Sequence, residues 1–340
     1  MAVTISDVAA AAGVSKGAVS LALNGQKGVG EETRSRILAV ARGLGWTPSL
    51  RAKGLASSRS FAIGLILERD PRLLGTDPFF AGFIAGIETV LAAHEYTLVL
   101  AVAHGEAAEA GYRKLAAGRV DGFILTDLRT DDPRVELLKG FGLPAVTLNR
   151  PVIDSPFPAV CMDGSESVKE AVRHLVGLGH RRIAHVGGPQ GFVHGRGRRL
   201  AWTEAMAEAG LEPALFLEAD FTAEAGVEAT AQLLALAEPP TAIVYANDLM
   251  ATAGQSKAQT LGFSVPEELS IVGYDNAEFA QYLNPPLTTI AADPIPWGHE
   301  AATALLSLIH GTSNGEDITM PPPRLIVRAS TGPAPVTADA

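Results

Sequence analysis

The sequence has little cysteine and no long apolar run. Cys161 is the single cysteine in 340 residues, so no disulfide can form within the chain, which fits a reducing compartment. The residues from Ala159 to Met162 form an apparent strand, which favours a buried structural thiol over a catalytic one. The apolar runs are shorter than the roughly 18 residues that a membrane span needs, and the N-terminus lacks a signal-peptide pattern. We therefore expect a cytoplasmic protein that does not enter a membrane.

Sequence signatures of catalysis are also lacking. There is no nucleophile elbow, no metal-ligand spacing and no cofactor fingerprint, so we expect neither a metal nor a cofactor. The glycine-rich segment from Gly187 to Arg199 lacks the spacing of a dinucleotide-binding loop or a P-loop, although its three arginines favour an anionic ligand such as a sugar phosphate. Asp248 and Asp275 could be a glycosidase pair, but no other feature of a hydrolase accompanies them. We expect that the protein is not an enzyme.

Charge is distributed very unevenly along the chain. The first 60 residues contain eight Lys and Arg against three Asp and Glu, a net charge of about +5. The whole chain carries −10, so the remaining residues carry about −15. Because counterion release from DNA rewards clustered basic residues, a basic segment on an acidic body indicates a phosphate-binding module.

The basic segment carries the signals of short helices. Thr4 and Asp7 have capping-box spacing, Gly13 can end the first helix, and Ser15 can cap a second one. We expect helices at about 5–12, 16–23 and 31–42, with Trp46 closing their core. The exposed face of the second helix is small and neutral to basic, which suits insertion into a major groove. An ordinary helical hairpin is the alternative.

From residue 61 onward, apolar runs of strand length alternate with segments of helical spacing, which is typical of parallel sheets with helices on both faces. The expected strands are Phe61–Leu67, Tyr96–Val102, Gly122–Thr126, Ala145–Leu148, Ile183–Val186, Ala242–Ala246 and Ile271–Tyr274. The expected helices include Phe79–Ala93, Ser167–Leu178, Arg198–Ala209, Asp248–Leu261 and Trp297–Ile309. These strands are too many for a single sheet of this kind, and a proline-rich break at 154–158 indicates two lobes.

The first 55 residues contain a series of motifs, which are, in chain order, Thr4-Ile5-x-Asp7-Val8-Ala9-x-x-Ala12-Gly13-Val14-Ser15, Val19-Ser20, Leu23-Asn24-Gly25, Glu32-Thr33-Arg34-x-Arg36-Ile37, Leu44-Gly45-Trp46-x-Pro48 and Ala52-Lys53-x-Leu55. By these motifs the chain resembles the LacI/GalR family of bacterial transcription regulators. The resemblance continues to about residue 328. It implies an all-α helix-turn-helix head with a hinge helix, followed by an α/β two-lobed, periplasmic-binding-protein-like domain built on two doubly wound parallel sheets.

The resemblance also implies the domain boundaries. They are a DNA-binding domain at 1–47, a hinge helix and linker at 48–60, an effector-binding and dimerisation domain at 61–330, and a tail at 331–340. The first lobe would comprise about 61–158 and 291–319, and the second about 159–290 and 320–330. In this family the hinge folds only on DNA, where the leucine that matches Leu55 wedges into the minor groove. The tail shows no leucine heptad, so we expect a homodimer.

Two sets of site residues follow. The expected DNA-binding residues are Thr4, Ser15, Lys16, Gly17, Ala18, Ser20, Leu21, Asn24, Thr33, Arg34, Ala52, Lys53 and Leu55. The expected effector-binding residues, several of which follow strands where ligands meet doubly wound sheets, are Phe79, Phe80, Asn149, Arg198, Trp202, Asn247 and Asp275. Simpler structural roles remain open for some of them. Asp275 could cap a turn, Asp248 beside Asn247 could cap a helix, and the aromatic rings could belong to the core.

Several positions depart from the family pattern. Asn149 stands where an aspartate is common, Ala201 replaces a glycine, Ala292 stands where a ligand-facing glutamine can occur, and Leu21 replaces an arginine or threonine of the recognition helix. These departures point to an atypical effector. The resemblance as a whole implies a repressor that binds near-palindromic double-stranded DNA at the nucleoid and is controlled by a sugar or sugar derivative. The alternative is a non-DNA-binding carbohydrate-binding protein or a glycoside-acting enzyme of the same two-lobed fold.

Overall fold

The computed structural model describes residues 3–23, 27–46 and 59–335. The chain divides into two compact units, residues 1–61 and residues 62–340, and each unit is described by itself. Most of the expected hinge and the last residues of the tail lie outside the described residues. So do four expected DNA-binding residues, Asn24, Ala52, Lys53 and Leu55.

The first unit contains the helix-turn-helix that the sequence predicts. Its helices are α1 (Ile5–Ala12), α2 (Lys16–Leu23) and α3 (Glu31–Gly43). The Asp7 carboxylate accepts hydrogen bonds from the backbone N and the Oγ1 of Thr4, both at 2.8 Å, at the start of α1. Gly13 ends α1 in the left-handed region, with φ of 67°, and Ser15 Oγ accepts a hydrogen bond from Ala18 N at 3.2 Å.

An apolar cluster holds the three helices of the head together. Val8, Val19 and Ile37 contribute one fully buried side chain from each helix. Trp46 packs against this cluster, which confirms its expected place, and its backbone N donates to Ala41 O at 2.9 Å. The small core leaves the polar and basic side chains of α2 toward the surface.

The second unit consists of two lobes, each built on a six-stranded sheet. The strands of the first sheet are β1 (Ala62–Leu67), β2 (Thr97–Val102), β3 (Phe123–Leu125), β4 (Ala145–Leu148), β5 (Ala159–Cys161) and β11 (Ile318–Thr319). The strands of the second sheet are β6 (Ile183–Gly187), β7 (Phe216–Glu218), β8 (Ala242–Tyr245), β9 (Ser270–Tyr274), β10 (Thr288–Ala291) and β12 (Arg324–Ile326). The orders are β2-β1-β3-β4-β5-β11 and β7-β6-β8-β9-β10-β12. The predicted pair of doubly wound sheets is confirmed.

The pairing is parallel throughout the first sheet. In the second sheet only the edge strand β12 is antiparallel, because the chain leaves this lobe at the end of β10 and re-enters it at the start of β12. The helices of this unit are α4 (Leu73–Thr76), α5 (Pro78–Ala93), α6 (Glu106–Ala116), α7 (Pro133–Phe141), α8 (Ser165–Gly177), α9 (Val193–Glu208), α10 (Ala223–Leu234), α11 (Asp248–Thr260) and α12 (Pro294–His310), with a 3₁₀ helix at Glu278–Tyr282. No helix within the described residues is long and apolar enough to cross a membrane.

Two expected helix starts were wrong. Helix α9 begins at Val193 rather than at Arg198, since the turn after β6 is complete by then. Helix α12 begins at Pro294 rather than at Trp297, because the Asp293 carboxylate caps it by accepting from Ile295 N at 3.0 Å.

The chain passes between the two lobes three times within residues 59–335. It leaves the first sheet after Cys161, returns after Ala291, and crosses again between β11 and β12. The expected lobe boundary at residue 159 was slightly early, because β5 pairs with β4 and therefore belongs to the first sheet. The loops that follow the strands of both sheets meet at these crossings and form a cleft.

Candidate functional site

The described DNA-binding candidates lie on one small unit with a basic surface. Thr4, Ser15, Lys16 and Gly17 are exposed. The other candidates, Ala18, Ser20, Leu21, Thr33 and Arg34, are half-buried. The exposed basic side chains of α2, of α3 and of the loop between them are Lys16, Lys27, Arg36 and Arg42. The surface is therefore suited to phosphate contacts beside a short helix of small side chains.

A cavity of about 70 Å³ lies in the cleft between the two lobes. Six of the seven predicted effector-binding residues line it: Phe79, Phe80, Asn149, Arg198, Asn247 and Asp275. Each lobe contributes three of these residues, so a ligand in this cavity would contact both lobes. This is the arrangement that binding by domain closure requires.

Trp202 does not belong to this group, and its expected role in effector binding is corrected. Its side chain is 1% exposed and lies in the core of the second lobe, where its ring centroid is 5.6 Å from that of His185. Neighbouring positions of α9, such as Ala205 and Met206, are buried in the same core. The tryptophan therefore packs the helix against its sheet, which was the alternative considered from the sequence.

Arg198 and Asp275 stand in the cleft without a salt bridge between them. The Arg198 guanidinium donates to Ala246 O and lies over the ring of Tyr274, 3.6 Å from its centroid. The Asp275 carboxylate makes no hydrogen bond or salt bridge with any described residue, and burial raises its pKa well above the usual value although Arg198 opposes this. A carboxyl group of this kind can accept hydrogen bonds from ligand hydroxyls and, when protonated, can also donate one.

Backbone geometry explains how Asp275 reaches the cavity. Asp275 and Asn276 follow β9 with φ of 111° and 57°, values that few residues other than glycine adopt. The turn is held by Asp275 N donating to Ile290 O at 2.8 Å and by Arg328 Nη2 donating to Asn276 Oδ1 at 2.7 Å. Asp275 thus sits in a strained turn that its neighbours support, which is typical of functional sites.

The two asparagines also have local structural roles. Asn247 Oδ1 caps α11 by accepting from Met250 N at 2.9 Å, and its Nδ2 donates to Phe221 O at 3.0 Å. Asn247, rather than the neighbouring Asp248, is therefore the cap of this helix. Asn149 has φ of 65°, and its Oδ1 accepts from Met162 N at 2.8 Å. Both amides are fixed in place before any ligand binds.

Four charged or titratable residues that sequence reasoning missed also line the cavity: Arg69, Asp77, Asp127 and His194. Burial tends to raise the pKa of Asp127, but the Arg69 guanidinium outweighs burial and lowers it to about 2. Burial lowers the pKa of His194 to about 3, so its ring is neutral near pH 7. Burial also raises the pKa of Asp77, whose carboxylate caps α5 by accepting from Phe79 N at 3.0 Å.

The arginine-rich start of α9 does not form an anion site. Of its three arginines, only Arg198 lines the cavity. Arg196 is exposed, and Arg199 is exposed and lies over the ring of Phe216, 4.1 Å from its centroid. The sequence argument for a sugar phosphate assumed that these three arginines act together, and they do not share one cavity.

A second cavity, of about 240 Å³, adjoins the first and shares Arg198 and Asp275 with it. Cys161 lines this second cavity and is half-buried, whereas the sequence predicted a buried structural thiol. Burial raises the pKa of the Cys161 thiol, which disfavours the thiolate that catalysis would need. Among the described residues, no group of three or more histidine, cysteine, aspartate or glutamate side chains could hold a metal ion.

Two family models match this chain. Residues 4–49 match the family described as bacterial regulatory proteins, lacI family, and residues 172–331 match a periplasmic binding protein-like domain. The HTH-type transcriptional regulator CelR of Thermobifida fusca is 34% identical over 315 residues, which cover 91% of this chain and 92% of CelR.

Two solved structures are similar along nearly the whole chain. One is a complex of a transcriptional regulator CelR with cellobiose, with a TM-score of 0.74 and 32% identity over 96% of this chain and 99% of the other. The other is a lac repressor dimer bound to operator and the anti-inducer ONPF, with a TM-score of 0.84 and 28% identity over 98% of this chain and 100% of the other. Each of these two structures thus shares the fold of this chain over nearly its whole length.

Proposed function

This chain belongs to the LacI family of bacterial regulatory proteins, and from that premise we propose that it is a transcriptional repressor whose operator affinity is set by a neutral, hydroxyl-rich small molecule in the cleft. It acts as a homodimer whose two heads contact the half-sites of a near-palindromic operator, roughly one helical turn apart. It works in the cytoplasm, on the nucleoid.

The DNA-binding half of the proposal rests on the head. Lys16, Ser15 and Thr4 are exposed at the first turns of α1 and α2, where they can contact phosphates or base edges. Ala18 and Leu21, which are partly exposed, can contact thymine methyl groups, and Gly17 lets the backbone approach closely. Thr33 and Arg34 at the start of α3 complete the contact, and Asn24, Ala52, Lys53 and Leu55 are assigned to it by family resemblance alone.

The effector-binding half rests on one observation above all. Arg198 and the unbonded carboxylate of Asp275 line one cavity without pairing with each other. A guanidinium donor and a carboxyl group in one cavity match the alternating donors and acceptors of a sugar, and Phe79 offers an apolar ring face beside them. The CelR relative, in complex with cellobiose, supports a sugar as the effector class.

Control of DNA binding follows from population shift. The two lobes can adopt two arrangements that differ in the angle between them, and a ligand held by both lobes favours one of these. The ligand changes operator affinity only to the extent that its own affinity differs between the two arrangements. A change of 5-fold to 150-fold corresponds to about 1–3 kcal/mol of coupling. An inducer and a co-repressor differ only in which arrangement they favour.

The relatives are transcriptional regulators, so the enzyme alternative is set aside. The proposal is tested by selecting the genomic fragments that the purified protein binds and then titrating sugars against the bound complex. We expect near-palindromic sites upstream of genes and a change of at least fivefold in affinity with one of the sugars. Failure to retain any fragment, with or without sugars, would contradict the proposal.

A further inference from the structure

Arg69 lies in the cleft immediately after β1 and is held by Asp127, which follows β3 in the same lobe. Its Nε donates to Asp127 Oδ2 at 2.8 Å and its Nη2 to Asp127 Oδ1 at 2.5 Å, a bidentate pair. Both side chains are about nine-tenths buried, with 10% and 8% of their surface exposed. The pair is therefore a fixed part of the site and not a mobile surface contact.

The same guanidinium is enclosed by aromatic rings of the second lobe. Its carbon lies 4.8 Å from the ring centroid of Phe192 and 4.5 Å from that of Phe221. His194 stacks with each of these rings, at centroid distances of 5.5 and 5.6 Å, and its Nε2 lies 3.3 Å from Arg69 Nη2. A cation of one lobe thus makes cation–π contacts with rings of the other, and these contacts are strong where water is excluded.

Backbone hydrogen bonds cross between the lobes beside this contact. Val193 N donates to Leu128 O at 2.8 Å, and Thr130 N donates to Gly191 O at 3.2 Å. The loop that provides Leu128 and Thr130 is braced by Arg134, whose Nη2 donates to the carbonyls of Thr126 and Asp127, both at 3.0 Å. The lobes are therefore joined here by two backbone bonds and by the enclosed Arg69.

Arg69 still has hydrogen-bonding capacity that the protein leaves unused. Its Nη1 makes no hydrogen bond with any described residue, and the side chain lines the 70 Å³ cavity. Two N–H donors on Nη1 can therefore bind an acceptor atom of a ligand. The charge of Arg69 is already matched by Asp127, so Nη1 needs no anionic partner and suits a neutral acceptor.

We propose that Arg69 is a specificity-determining residue of the cleft, which joins the lobes through Asp127 and the rings of Phe192 and Phe221 and binds an uncharged acceptor atom of the effector through Nη1. This inference rests on the proposed function, because it assumes that the cavity takes a small-molecule effector. It makes closure of the lobes and choice of ligand depend on one side chain.

The first test measures binding by calorimetry on the full-length protein, using glucose, galactose, cellobiose, maltose and glucose 6-phosphate. The test variant is the double substitution Arg69→Met with Asp127→Asn, which removes both charges together and leaves no unpaired buried ion. Arg69→Lys keeps the charge but loses the planar donor group. The matched control is Arg72→Met, because Arg72 is exposed in the same segment and pairs with Asp70 at the surface.

We expect the double variant to bind a neutral sugar at least tenfold more weakly than wild type, Arg69→Lys to lie between them, and Arg72→Met to stay within twofold. Wild-type affinity in the double variant would overturn the inference, as would tighter binding of glucose 6-phosphate than of glucose. Thermal unfolding of each variant checks that a loss of binding is not a loss of fold.

A second test needs no ligand. The amides of Val193 and Thr130 are expected to exchange hydrogen at least tenfold faster in the double variant, while the amide of Val244 in a central strand keeps its wild-type rate. Unchanged exchange at both cross-lobe amides would overturn the inference. If no sugar of the panel binds the wild-type protein, the proposed effector class is what fails, and the exchange rates decide the role of Arg69.

Discussion

The carboxylate of Asp248 accepts a 2.6 Å hydrogen bond from the hydroxyl of Thr289, which lies 41 residues further along the chain. Its other oxygen accepts from Ala277 N at 2.7 Å, directly after the Asp275–Asn276 turn. The Thr289 hydroxyl in turn accepts from Asn276 N at 3.3 Å. Asp248 therefore does not touch the cavity but holds in position the turn that presents Asp275 to it.

The first prediction concerns the pH dependence of stability. Burial raises the pKa of Asp248 from 3.8 to about 7, so the folded protein keeps a proton that the unfolded chain releases. The stabilisation that this proton brings is fully present below about pH 4 and is lost as the pH rises through about 7. We expect the melting temperature of wild type to fall relative to that of Asp248→Asn between pH 5 and pH 8.

Thermal unfolding followed by circular dichroism at four pH values measures this difference. Burial also raises the pKa of Asp275, and the charge of Asp248 raises it further, so the difference between the two proteins includes the coupling of these two carboxyl groups. Melting temperatures that run parallel across the range would show that Asp248 does not titrate as expected.

The second prediction concerns salt. The basic head binds phosphates, so the logarithm of operator affinity should fall linearly with the logarithm of salt concentration. Lys16→Ala removes one exposed cation of α2 and should reduce the slope by about one unit. Lys139→Ala, which alters an exposed lysine on α7 of the second unit, is the control and should leave the slope unchanged. Fluorescence anisotropy at about 50 to 300 mM salt measures these slopes. An operator affinity of the wild-type protein that does not change with salt concentration would contradict the role of the head.

The third prediction compares two neighbouring arginines of α9. Arg198 lines the cavity, whereas Arg199 is exposed and stacks on Phe216. Arg198→Ala should weaken effector binding about 10-fold to 100-fold, because a hydrogen bond to a charged group contributes about 1.5–3 kcal/mol. Arg199→Ala should change it less than twofold, and both variants should still bind operator. Equal responses of the two variants in a sugar titration would place the effector elsewhere.

The fourth prediction concerns Trp202 and Phe79. Trp202→Phe shrinks a buried core side chain and should cost about 1–3 kcal/mol of the free energy of unfolding without changing effector affinity. Phe79→Leu alters a ring that lines the cavity and should lower the affinity for the effector severalfold, with a smaller effect on the free energy of unfolding. Denaturant unfolding and calorimetry separate the two effects. A loss of sugar affinity in Trp202→Phe would restore the ligand-contacting role that the sequence suggested for it.

Most of the fold could be predicted from the sequence, because its signals are local. Thr4 and Asp7 mark the start of the first helix and Gly13 marks its end, and strands such as Ala62–Leu67 appear as continuous apolar runs because both faces of the sheet are covered. The short edge strands could not be read in this way. Ile318–Thr319 has two residues, too few to show any period, and only pairing with β5 defines it as a strand.

The site was only partly predictable, for a different reason. Asn149 and Asp275 were found because each follows a predicted strand. The same rule would have identified Asp127 and Arg69, which also follow predicted strands. They matter because they pair with each other across 58 residues and because Arg69 contacts Phe192 of the other lobe. Neither of these long-range contacts produces a local pattern in the sequence. Trp202 was misassigned because an aromatic residue four places after Arg198 looks the same in sequence whether it faces the cleft or the core.

The three passages of the chain between the lobes have a mechanical consequence. A single linker would let one lobe swivel freely, whereas three side-by-side connections, one of them containing Pro321, Pro322 and Pro323, resist twisting and sliding and leave mainly a bending motion about one axis. Any molecule that enters the cleft can then only widen or narrow the same angle. Under the proposed function, induction and co-repression are then two directions along one coordinate.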